Sequence, residues 1–331
     1  MLRRTLLAAA AALAITGTAA LAEDKPAIVF DIGGKFDKSF NESMFNGAEK
    51  FKAETGVAYG EFEIANEAQR EQAIRNFADQ GYSPIIAAGF AQAAAVEKVA
   101  KEYPDLKFAI VDMVVDLPNV QSIVFKEHEG SYLVGLMAGM ASKSGKVGFV
   151  GGMDIPLIRK FGCGYAQGVK AAKADATVIQ NMTGDTGAAW NDPVKGGEIT
   201  KGQMAQGADV VYAAAGATGL GVLQAAADGG ALSIGVDANQ NYLHPGKVLT
   251  SMLKRVDVAV FNVMKAGNAN FKPGIQALGL AEDGVGYAMD DNNKPLVTAD
   301  MLAAVEKAKA DIIAGTITVH DYTTDNTCPV Q

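Results

Sequence analysis

Short runs of consecutive apolar residues alternate along this chain with longer stretches whose apolar positions recur every three or four residues. "AIVFDIGG" (27–34) predicts a strand, and "FNESMFNGAEKFKAETG" (40–56) predicts an amphipathic helix closed by glycine. The rhythm repeats with a strand over 57–64, a helix over 66–81, a strand over 84–89, a helix over 91–104 and a strand over 107–113. Unbroken apolar strands separated by helices of this length predict parallel sheet covered on both faces. "VQSIVFKEHEGSYLVGLMAGMASKSGK" (120–146) then reads as a strand and a long helix rich in small residues. The alternation restarts with strands over 146–154, 177–184, 209–216 and 231–237. "VLTSMLKRVDVAVFNVMKAG" (248–267) predicts a strand and a helix that return the chain to its first half. No low-complexity linker separates the halves, which predicts several short crossovers rather than one tether.

The first 22 residues follow a different pattern. Arg3 and Arg4 precede a short apolar core, Leu6 to Ile15, and Ala20-Leu21-Ala22 supplies a small-x-small cleavage signal. The core is too short for a membrane span, which takes about 20 residues. These features predict a signal peptide cleaved after Ala22 and export, to a periplasm. The remainder exceeds one ordinary core and predicts two lobes. Its net charge, −8 for the whole chain, becomes −10 without Arg3 and Arg4. An acidic chain with scattered lysines argues against nucleic acid and anionic membranes as partners. The two cysteines, Cys163 and Cys328, are far apart, and the three histidines are dispersed. In an oxidising compartment this predicts a disulfide holding the C-terminal tail to the second lobe, and no metal site.

Ligands of open parallel sheets bind beyond the carboxyl ends of strands. Asp31, Asp112, Gly216 and Asp237 all fall at such ends, so two facing lobes would share one site. In "DIGGKFDKSFNES" (31–43), Gly33-Gly34 permits a tight turn, and Asp37 or Ser39 can cap the following helix. Phe40 is either a hydrophobic staple or a stacking surface, and Asn41 offers both a donor and an acceptor. Trp190 opens the polar loop "WNDPVKG" (190–196), an unusual place for a core tryptophan. "KVGFVGGMD" and "GATGLG" lack the G-x-G-x-x-G spacing, and no Walker A, H-E-x-x-H or G-x-S-x-G motif occurs. No cofactor is therefore expected. His128, in "KEHEG", reads as a packing residue.

"DIGGKFDKSFNES", "VDM" (111–113), "KEHEGSYLVGLMAG" (126–139), "KVGFVGGMDIPLIRKFGCGYAQGVKA" (146–171), "WNDPVKG", "AAAGATGLGV" (213–222) and "IGVDANQ" (234–240) together resemble the basic membrane protein family. These are substrate-binding proteins of ABC importers, similar to purine nucleoside receptors of the PnrA type. The resemblance implies a type I periplasmic binding protein, with two doubly wound parallel-sheet lobes joined by a three-segment hinge. The implied lobes are 23–126 with 255–278, and 127–254 with 279–331. It further implies a non-enzymatic monomer that delivers a purine nucleoside (adenosine, guanosine or inosine) to a membrane permease. By resemblance, Phe40 and Trp190 sandwich the base, with tryptophan standing where many relatives have phenylalanine. Asn41 and Asp112 read the base edge. Asp237 and Lys254 grip the ribose, Lys254 also neutralising Asp237. Gly216 gives the sugar room, and Asp31 lines the cleft. The alternatives are a receptor for another planar or sugar-like metabolite such as riboflavin, an exported nucleoside hydrolase using Asp31 or Asp237 as base, and an added signalling role.

Overall fold

Strands of three to eight residues, several of them fully buried, and α-helices of ten or more residues build two sheets in the computed structural model, which describes residues 24–330. The signal peptide expected over residues 1–22 lies outside the described residues. In chain order the elements are β1 (Ala27–Phe30), α1 (Phe40–Thr55), β2 (Gly60–Glu63), α2 (Gln69–Asp79), β3 (Ile85–Ala87), α3 (Ala93–Glu102), β4 (Phe108–Val111) and β5 (Val120–Phe125). There follow α4 (Glu127–Ala141), β6 (Lys146–Met153), α5 (Pro156–Ala172), β7 (Thr177–Gly184), α6 (Pro193–Ala205), β8 (Val210–Ala214), α7 (Thr218–Asp228), β9 (Leu232–Asp237) and β10 (Val248–Lys254). The chain ends with α8 (Val256–Ala266), β11 (Gly274–Leu278), β12 (Val285–Tyr287) and α9 (Ala299–Ile313).

One sheet has the order β11-β5-β4-β3-β1-β2 and the other β12-β10-β9-β8-β6-β7. The two orders match strand for strand, so β1 corresponds to β6, β3 to β8 and β4 to β9. All pairings are parallel except that of β12 with β10. The chain passes between sheets three times: at Lys126, at Arg255, and between Leu278 and Val285. β10 stays in the second sheet, and only α8 and β11 return, α8 packing on α1. The sequence reading missed β11, β12 and α9. β11 is an edge strand with four of five residues exposed, so it carries no burial pattern to detect.

The small residues of α4 have a packing cause. A Cβ on Gly135 would lie 2.2 Å from the Tyr165 carbonyl oxygen, and one on Gly168 of α5 would lie 2.0 Å from that of Tyr132. α4 and α5 therefore touch backbone to backbone. Gly168→Ala should destabilise the fold by about 2 kcal/mol or more, because the neighbouring backbone cannot retract as a side chain would. An unchanged urea midpoint would show that the two helices separate freely.

Cys163 of α5 and Cys328 form the expected disulfide. The tail it holds places Asp321 near His128, 3.6 Å from its Nδ1. Among the described residues no helix is long and apolar enough to cross a membrane, and no acidic, His and Cys cluster is placed to hold a metal ion.

Candidate functional site

The order of each sheet reverses direction at one point, between β1 and β3 in the first and between β6 and β8 in the second. Loops on either side of such a point diverge and leave a crevice. The two crevices face each other across a shared cavity. Asp31, Phe40, Asn41, Asp112, Trp190, Gly216, Asp237 and Lys254 all line it. Asp37, Phe90, Leu157 and Phe161 line it too and were not among the expected site residues. Phe90 follows a glycine with φ +91° and begins a helical turn.

Asp112 and Asp237 occupy matching places, after β4 and at the end of β9, and both have left-handed backbone (φ 70° and 64°). Aspartate tolerates that region better than most residues, and non-glycine residues found there cluster at functional sites. Gly216, after β8, has φ 56°, and a Cβ there would sit 3.3 Å from the Trp190 carbonyl oxygen. Trp190 packs against Gly152, whose added Cβ would fall 2.2 Å from the indole ring. Its ring meets Phe90 of the other lobe edge to face, with centroids 6.5 Å apart. Phe40 opens α1 and places its ring 5.3 Å from the Lys254 ammonium.

Of the two candidate caps of α1, only Asp37 serves. Its carboxylate accepts from the backbone amides of Ser39, Asn41 and Glu42. Ser39, fully buried, donates instead across the cleft to Asp237 Oδ2 at 2.5 Å. Beside it, Gln240 Nε2 of the second lobe donates to the Lys38 carbonyl at 2.9 Å. Asn41 lines the cavity, but its amide braces the glycine turn: Nδ2 donates to the carbonyls of Asp31 and Gly34, and Oδ1 accepts from the Asp31 amide. With these bonds made, one Oδ1 lone pair stays free at the cavity. Asp31 is held by Arg70 at 3.0 Å.

Lys254 acts on Asp237 through charge, but its close partners are other carboxylates. The ammonium lies 2.7 Å from Asp112 and 3.0 Å from Glu127, while Asp237 acts on it at longer range. Burial alone would drive Lys254 down, but these three carboxylates outweigh it and hold the group above its ordinary value. Burial pushes Asp237 up to about 6, against the pull of Lys254 and of the Ser39 hydroxyl. Asp37 likewise rises to about 6 through burial. The cavity wall thus carries four carboxylates, Asp31, Asp37, Asp112 and Asp237, against one lysine, with Arg70 behind Asp31. Such a wall suits hydroxyl donors and planar rings and repels anions.

Comparison with known proteins gives one consistent picture. A family model described as ABC transporter substrate-binding protein PnrA-like (Bmp) matches residues 25–322. The chain is 37% identical to a CD4+ T-cell-stimulating antigen of Listeria monocytogenes, covering 88% of this chain and 87% of that protein. It is 34% identical to the ABC transporter nucleoside-binding protein BmpA of Lactococcus lactis, covering 89% and 88%. A crystal structure of an ABC transporter system solute-binding protein from Aeropyrum pernix K1 superposes with a TM-score of 0.83 at 30% identity, covering 90% of this chain and 93% of that one.

Proposed function

The chain belongs to the PnrA-like Bmp family of ABC transporter substrate-binding proteins, and from that premise we propose that its cavity binds purine nucleosides in an exported protein. As a family member it works with a membrane permease, binds a small molecule and is not an enzyme. The observation that carries the nucleoside reading is the pairing of Phe40 and Trp190, one ring from each lobe, in a cavity that also holds Asp237 and Lys254. Rings on opposite lobes stack on a flat base only when the lobes meet, so the ligand itself favours the shut state. Asp237 is the acceptor for ribose hydroxyls, bonds that a charged acceptor strengthens about twofold. The relative from Lactococcus lactis, described as nucleoside-binding, supports the same reading. The acidic wall selects nucleosides over nucleotides. The signal-like N-terminus supports cleavage after Ala22 and a periplasmic location.

Trp190 is the single tryptophan of the chain, so its emission reports on this site alone. Inosine, guanosine or adenosine should shift that emission and give saturable heat in calorimetry, whereas their 5′-monophosphates should bind at least tenfold more weakly. Gly152→Val, which pushes on the indole, should weaken nucleoside binding about tenfold while the protein stays folded. If none of the three nucleosides produces a calorimetric signal, the reading fails. If the monophosphates bind equally well, the charge argument fails.

A further inference from the structure

We infer that Glu127, which does not border the cavity, is a positioning residue for ligand binding, holding the Lys254 ammonium at the cavity wall whether the lobes are apart or together. The inference rests on the reading that Lys254 touches the ligand. Glu127 is the first residue of α4, directly after the first crossing between lobes, and it is 0% exposed. One carboxylate oxygen lies 3.0 Å from Lys254 Nζ and the other 2.8 Å from Lys160 Nζ. Lys160 Nζ also donates to the Phe125 carbonyl at 2.7 Å, which ties the far side of the pair to the end of β5.

The two partners of Lys254 come from different bodies. Asp112 belongs to the first lobe, so any opening of the cleft changes its distance to the ammonium. Glu127 belongs to the second lobe, where α4 packs directly on β10, the strand that ends at Lys254. That contact survives any rigid movement of one lobe against the other. An ammonium only 2% exposed needs a constant counter-charge, because a buried ion without a partner is far costlier than a paired one. The start of a helix is also where a carboxylate is favoured by the backbone dipoles. The charged groups facing Lys254 are Asp112, Asp237 and Glu127, with Lys160 beyond Glu127. Only Glu127 among the three acids is both a close partner and fixed to the same lobe.

The experiment compares Glu127→Gln with Lys160→Met, which disturbs the same buried chain but leaves the Glu127–Lys254 contact intact. Glu127→Gln should weaken inosine binding at least tenfold, and Lys160→Met should stay within threefold of wild type. A second readout needs no ligand: the Lys254 ammonium ¹H–¹⁵N resonance at pH 6.5, assigned by its loss in Lys254→Met. Glu127→Gln should accelerate its hydrogen exchange at least tenfold, and Lys160→Met should leave it slow. Exchange that stays slow in Glu127→Gln overturns the inference, as does unchanged affinity for inosine. If wild type binds no nucleoside, the functional reading fails, and the ammonium exchange still decides the role of Glu127.

Discussion

Asp237→Asn is expected to lower inosine affinity at least a hundredfold while leaving the thermal midpoint at pH 7 unchanged or raised. Each hydrogen bond from a neutral donor to a charged acceptor contributes about 1.5–3 kcal/mol, and two ribose hydroxyls together would supply the loss. Asparagine is the informative replacement because it tolerates the left-handed backbone at this position, whereas alanine would add strain of its own. The stability side has a definite sign. Burial holds Asp237 at about 6 in the fold, above its ordinary 3.8, so its ionised form is a cost at pH 7. That cost declines as pH falls below about 6 and is gone only well below 3.8, where both folded and unfolded chains carry the proton. Any advantage of the variant should therefore be greatest near pH 7, be no more than about 3 kcal/mol, and shrink on acidification. Calorimetric titration and melting curves at pH 7 and pH 4.5 check both halves. Retained affinity would remove Asp237 from the ribose site.

Lys254→Met should have the largest effect on the fold itself. The change leaves Asp112, Glu127 and Asp237 facing one another, with Lys160 beyond Glu127 as a remaining cation. Removing one partner of a buried ion pair typically costs about 3–5 kcal/mol, and binding should be lost as well. The three carboxylates would then hold protons more tightly when folded than when unfolded. The deficit should be greatest at pH 7.5 and relieved as pH is lowered toward 5. Urea midpoints at the two pH values test this. An equal deficit at both would mean that lost packing, not unbalanced charge, destabilises the variant.

The sequence carries much of this arrangement because parallel strands buried on both faces leave unbroken apolar runs. Their carboxyl ends mark where a ligand can lie, which is why Asp31, Asp112, Gly216 and Asp237 could be singled out. Its partners could not be read the same way. Asp37 and Ser39 look equivalent as caps, and only the approach of the other lobe takes Ser39 away to Asp237. Glu127 resembles any acid in the first turn of a helix, since its lysines lie in α5 and β10. Phe90 was not singled out because nothing local reveals the indole facing it. What escaped detection is what two lobes create jointly, along with β11, whose exposed side chains leave no periodic trace.

The three passages between the lobes also bear on the order in which the chain can mature. The first lobe includes α8 and β11, which begin only after residue 255, and the second includes α9 and Cys328. A polypeptide emerging from the ribosome amino end first cannot complete either half until nearly all of it has been synthesised. The face of α1 that meets α8 stays uncovered throughout that interval. Late completion of this kind would keep the nascent chain threadable until nearly all of it has been made.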